Sequence, residues 1–227
     1  MRRFLRRLAL AAPMSIASAG LAGASEGEAE DGWWRPASYD ALCGGECRAT
    51  GFVGRFLDTN MTDVFLPIDP DFAPPWQWRM PADHIVSGAL SRRLGSFGGV
   101  LDLEAEVGLG QRIGEPATEV WGALYARWTE FPWNDAVRTS IAISTGLNYA
   151  SRVTPRERER SAGPEESELM HYLSPEITLA PASWERTDLV LRFHHRSGGG
   201  QIWGDGFLFN GASEGAQYLK IGIRRAF

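Results

Sequence analysis

From about residue 51 to the end of the chain, hydrophobic and polar side chains alternate with period two, in short runs separated by Gly, Pro, Asn and Asp. Successive strand residues point to opposite faces, so this alternation predicts β-strands with one apolar face. The clearest run is Val100 to Gly110, with Leu101, Leu103, Ala105, Val107 and Leu109 on one face and Asp102, Glu104 and Glu106 on the other. Similar runs cover 118–128, 137–149, 187–197 and 217–227. Less regular ones cover 51–65, 84–94 and 169–180, for about eight strands in all.

The run 187–197 decides what kind of β-protein this is. Leu189, Leu191, Phe193, His195 and Ser197 share one face; Val190, Arg192, His194 and Arg196 share the other. A soluble sandwich with this pattern would turn its charges to water and a His/Ser pair into its core. In a membrane barrel the apolar face meets lipid and the charged face fills the lumen. The pattern therefore predicts an all-β fold, an eight-stranded antiparallel outer-membrane β-barrel with its lumen filled by charged side chains. There Asp102, Glu104 and Glu106 would neutralise Arg127, Arg192, Arg196, Lys220 and Arg224. His194 is expected to face that lumen and pair with an acid, and His84 and His171 are treated as incidental.

The chain ends and connections extend this picture. Residues 1–24 read as a signal peptide: Arg2, Arg3, Arg6 and Arg7, a mildly apolar stretch to Leu21, then Ala22-Gly23-Ala24. Residues 25–50 read as a periplasmic N-terminal segment and 51–227 as the barrel domain. With the N-terminus periplasmic, the outer loops fall near 66–83, 110–117, 152–168 and 198–213. The turns near 95–98, 129–136 and 181–186 are shorter on average. The charged stretch 152–168 is expected to be a solvated loop. The closing residues from Lys220 to Phe227 resemble the C-terminal assembly signal of outer-membrane barrels, although Arg225 stands where an aromatic is usual. The cell outer membrane is the location this implies.

Composition narrows the partners. Losing the leader's four arginines takes the basic count from 23 to 19 against 28 acidic residues, so the net charge moves from −5 to about −9. Nothing there neutralises a phosphate backbone, and nucleic acid is not expected as a partner. Trp 9, Tyr 5 and Phe 11, with 26 glycines, suit aromatic girdles and tight turns. The only cysteines, Cys43 and Cys47, predict a local disulfide in an oxidising compartment rather than a metal site.

The candidate chemistry sits at the end of the 187–197 strand. His195 and Ser197 are neighbours on its apolar face, close to the outer interface in the topology above. Ester hydrolysis needs a nucleophile, a base for its proton and donors for the oxyanion, and a serine beside an imidazole supplies the first two. The same residues could instead mark a polar interfacial rim. Phe193-His194-His195-Arg196-Ser197-Gly198, followed by Asn210 and Glu214, resembles the lipid A 3-O-deacylase family of small outer-membrane acyl hydrolase barrels. That resemblance implies removal of an ester-linked acyl chain from lipid A, with Ser197 as nucleophile, His195 as base and Glu214 as orienting acid. Gly198 stands where the family has an asparagine, so Asn210 or the amides of Gly198 to Gly200 would serve the oxyanion. By strand parity Glu214 reaches His195 only if a bulge or loop precedes the final strand, and Asp205 is the alternative acid.

Gly211-Ala212-Ser213-Glu214-Gly215 fits the nucleophile-elbow pattern, but no helix and no histidine follow it. The expected function is therefore an outer-membrane esterase acting on lipid A or lipopolysaccharide in the outer leaflet, embedded in the membrane and using no metal or cofactor. Two alternatives stand beside it: a non-catalytic small outer-membrane barrel, and a secreted β-sandwich or lipocalin-like binder. The sequence leaves the oligomeric state open, a homodimer included.

Overall fold

The computed structural model describes residues 32–39, 42–68, 70–161, 166–198 and 209–227. The expected leader, the start of the 25–50 segment, Gly199, Gly200 and Asp205 lie outside the described residues. After a short β1 (Trp34–Pro36) come β2 (Cys47–Phe56), β3 (His84–Phe97), β4 (Leu101–Ile113), β5 (Thr118–Trp128) and β6 (Val137–Ala150). Then follow β7 (Leu169–Leu173), β8 (Glu176–Pro181), β9 (Thr187–Ser197) and β10 (Glu214–Ala226). Each pairs antiparallel with its neighbours, and β10 against β2 closes an eight-position ring.

The eight expected strands are present, with three local departures. The last expected run but two is interrupted, because Pro175 cannot donate to a ladder. Its pieces β7 and β8 share one ring position, both lying between β6 and β9. The first expected run stops at Phe56, and Met61–Phe65 forms the short helix α1 instead of strand. The first ring strand also begins at Cys47, before residue 51, directly after a Cys43–Cys47 disulfide. Ahead of it, β1 pairs with the end of β3, and the Trp33 and Trp34 rings pack on Phe97.

Burial alternates along the strands with polar groups inside. Val53, Leu90, Val107, Leu124, Ile143 and Ile223 are among many exposed apolar side chains of the outer wall. In the lumen, Glu104 accepts from Arg127 at 3.0 Å and Glu106 from Arg192 at 2.7 Å. Glu176 accepts from Arg127, Arg192 and Arg224 at 2.5–2.7 Å. Buried ions are tolerated only when paired in this way. Two expected lumen partners go elsewhere: Arg196 to Glu157 of the 151–168 connection, and Asp102 to Arg93, 3.7 Å away. His194 Nε2 meets Glu119 at 2.7 Å, as expected of a lumen histidine, and its Nδ1 lies 2.8 Å from Lys220 Nζ.

The connection 151–168 is not a solvated loop along its length. Helix α2 (Pro155–Arg160) is capped by a reciprocal Thr154/Glu157 box, and Glu157 is buried. Its carboxylate accepts from Arg112 at 2.8 Å and from Arg196 at 2.5 Å, closing the loop end of the barrel. Burial raises the pKa of Glu157, but Arg112 and Arg196 outweigh it and hold the group below the ordinary value.

Candidate functional site

Leu189 and Leu191 of β9 are exposed on the outer wall. Phe193 and His195 share their parity yet are buried, because the segment after β2 folds across this part of the wall. Leu57 and Val64 of that segment form a buried cluster with Phe193, flanked by Met61, Trp78 and Met80. The Phe65 ring meets Phe193 edge-on at 5.0 Å. The next outward ring is His195, stacked on Phe193 at 6.0 Å.

A bulge in β10 sets what stands opposite. Ser197 pairs with Glu214 and His195 with Gln217, so two residues of β10 face one of β9 between those pairs. Gly215 is needed inside the bulge, where a Cβ would press on the carbonyl of Arg196. Cross-strand partners point to the same face. Glu214 is therefore on the Ser197 face, the condition that strand parity alone would not meet. Its carboxylate accepts from Arg160 at 3.1 Å, and Arg160 also bonds Asp58 at 3.2 Å. The group held against the imidazole is Gln217, whose Oε1 lies 3.1 Å from His195 Nδ1.

On the other flank Ser197 pairs with His171 of β7. His171 also points to the outer face and contacts Thr145 Oγ1 at 3.0 Å through Nε2. Two outward histidines, His195 and His171, thus lie beside one serine. From sequence alone His171 is incidental, and Gln217 and Arg160 have no role at the site. Gln217 carried a signal, since it shares the outward parity of Leu219, Ile221 and Ile223. His171 sat in a weakly alternating run, and Arg160 in a stretch taken as solvated.

Gly198 has a structural reason to be glycine: a Cβ there would overlap the carbonyl oxygen of Ala212. Its own N–H donates to Ser213 O at 3.1 Å, so the amide proposed for the oxyanion is already engaged. Asn210 lies in the 3-10 turn Phe209–Gly211, four residues ahead of Glu214. Phe209 takes a left-handed φ of 57° in that turn. Among the described residues no group of three His, Cys, Asp or Glu side chains is placed to hold a metal ion.

From Phe193 an apolar groove of about 640 Å³ runs over the outer wall, lined by Val64, Trp78, Leu191, Ile177 and Ile143. It extends to Trp128 and Leu101 at the end of the barrel opposite the site. Its upper lip is the covering segment, which also exposes Leu66, Ile68 and Trp76.

No family model and no curated protein sequence matches the chain. Among solved structures it is similar to the outer membrane enzyme PagL, with a TM-score of 0.50 and 13% identity, over 79% of this chain and 99% of that one. Neisserial surface protein A (NspA) aligns with a TM-score of 0.45, 11% identity and 81% and 97% coverage. OprG from Pseudomonas aeruginosa aligns with a TM-score of 0.42, 11% identity and 81% and 96% coverage. At such identities the likeness is one of fold: this chain forms an eight-stranded antiparallel barrel with the architecture of small outer-membrane β-barrels.

Proposed function

We propose that the protein is an outer-membrane esterase that removes an ester-linked acyl chain from lipid A, with Ser197 as nucleophile and His195 as general base. The observation that carries this is the position of the pair: outward on β9, at the loop end of the wall, one step from an apolar groove of acyl-chain dimensions. Such a place presents a hydroxyl at the level of a lipid's ester groups, with hydrocarbon below. In the reaction, Ser197 Oγ gives its proton to His195 and attacks the ester carbonyl. The tetrahedral intermediate collapses, and His195 returns the proton to the departing sugar oxygen. Water then repeats the sequence on the acyl-serine and releases the fatty acid. The Gly198 amide is engaged with Ser213 O, which leaves Asn210 or the amides of Gly199 and Gly200 for the oxyanion. The proposal includes export by the 1–24 leader and a periplasmic arm before the barrel. The chemistry described needs no metal or cofactor.

A second reading, a non-catalytic barrel, draws on the burial of His195, only 6% exposed beneath the covering segment. The two separate by mass spectrometry of lipid A from cells expressing wild type, Ser197→Ala or His195→Ala. Loss of one ester-linked acyl chain with wild type alone supports the esterase. Identical lipid A in all three, with folded protein in the outer membrane, supports the non-catalytic barrel.

A further inference from the structure

We infer that Gln217 is the positioning residue of the His195 base: its side-chain amide fixes the Nδ1–H tautomer and leaves Nε2 as the basic nitrogen. The catalytic consequence rests on the esterase reading above; the tautomer does not. Amide oxygen and nitrogen are assigned from their partners, and here the partners leave one assignment. The Gln217 Nε2 donates to the carbonyl oxygen of Thr59, a group that can only accept. The other end, Oε1, therefore faces His195 Nδ1 at 3.1 Å and can only accept as well. A neutral imidazole in this contact must carry its proton on Nδ1. A base that takes a serine proton through Nε2 requires that tautomer.

The neighbours say why the orienting group is an amide. Gln217 is fully buried on the outer wall, with Leu219 following it on the same face. The nearby cation, Arg160, is committed to Glu214 and Asp58. A carboxylate at 217 would set an oxygen against the Thr59 carbonyl and carry a charge with no partner. Neutral amides fill the third position in cysteine proteases with a Cys-His-Asn arrangement, so the role needs no charge. The backbone reinforces the contact: Leu57 N–H donates to Gln217 O at 3.0 Å, and Arg79 N–H to Thr59 Oγ1 at 2.9 Å. The segment covering His195 thus also holds the residue that orients it.

The test is ¹⁵N NMR of the full-length protein in detergent micelles with labelled histidine, alongside ester hydrolysis of purified lipid A. His195 of wild type is expected to show a protonated Nδ1 and a lone-pair Nε2, assigned by comparison with His195→Gln. Gln217→Met keeps the shape and removes the acceptor. It should abolish the Nδ1–H preference and lower kcat about 100-fold with KM unchanged, less than the ~10⁴-fold that follows when a triad histidine takes the wrong tautomer. An Nε2–H tautomer in wild type, or one unchanged in Gln217→Met, overturns the inference. The expected tautomer without hydrolysis by wild type overturns the esterase reading and leaves Gln217 orienting an idle histidine.

Discussion

Replacing Glu157 by alanine should loosen the loop end of the barrel by about 4 kcal/mol. The carboxylate does three things there. It accepts from Arg112 at 2.8 and 3.2 Å, it accepts from Arg196 at 2.5 Å, and it takes the Thr154 N–H at 2.9 Å to cap α2. Losing a helix cap costs about 1 kcal/mol. Removing one partner from a buried ion pair costs about 3–5 kcal/mol. The lower end applies, because Arg112 keeps Glu119 and Arg196 keeps the carbonyls of Ser167 and Glu168. Glu157→Gln can still cap the helix and accept one bond, so about 2–3 kcal/mol is expected from loss of the charge.

Urea unfolding in phospholipid vesicles, followed by tryptophan fluorescence, measures both variants. The sign of the pH dependence follows from the direction of the pKa. A carboxylate held below its ordinary 4.5 in the folded state stabilises the fold above that value. That stabilisation drains away as pH falls through the folded pKa, while the arginines stay charged. Wild type should therefore lose stability over this acid window, and Glu157→Gln should lose less. Glu157→Ala unfolding within 1 kcal/mol of wild type, or a steeper acid loss in Glu157→Gln, would refute the role given to this carboxylate.

Two further substitutions probe the wall and the site. Gly198→Asn should destabilise by about 1–3 kcal/mol, since its Cβ meets backbone at Ala212; a variant as stable as wild type would dispose of this steric account. Leu124→Arg places a charge near the middle of the outward face of β5 and should cost about 2–4 kcal/mol in vesicles; an unchanged unfolding midpoint would argue against lipid at that face.

The strands were legible because side-chain period and burial coincide. In 101–109 the outward Leu101, Leu103, Ala105, Val107 and Leu109 alternate without error against the buried Asp102, Glu104 and Glu106. Within β9 the division between Leu189, Leu191 and Phe193 on one side and Arg192, His194 and Arg196 on the other reads directly off the sequence. The break at Pro175 was legible in principle, since proline's missing donor is visible at once. What period could not reveal is contact across the chain. That Phe193 lies under α1 depends on residues more than a hundred positions away. That Glu157 enters the barrel mouth depends on Arg112 and Arg196 waiting there, whereas its local surroundings are a run of charges. The bulge was stated as a condition for Glu214 to share the Ser197 face, and the structure contains it. Arg160, which then occupies that carboxylate, came from the stretch given no role.

The chemistry of the wall separates into two bands, and the separation bears on catalysis. Beside Ser197 at the loop end, ions occur together: Glu214 with Arg160, and Arg160 with Asp58. One step toward the apolar belt, no ion pair is made: the His195 imidazole meets the Gln217 side-chain amide. An unpaired charge in the second band would be buried under the covering segment, where it is costly. In the proposed reaction the His195 imidazole, becoming imidazolium in the transition state, would be the one group asked to carry charge there, and only transiently. With an amide rather than a carboxylate behind it, that charge is oriented but not neutralised, so the geometry favours the correct proton path more than a low barrier. Slow turnover with a well-defined tautomer is the signature this arrangement should leave, and fast turnover would require a carboxylate to approach His195 when substrate binds.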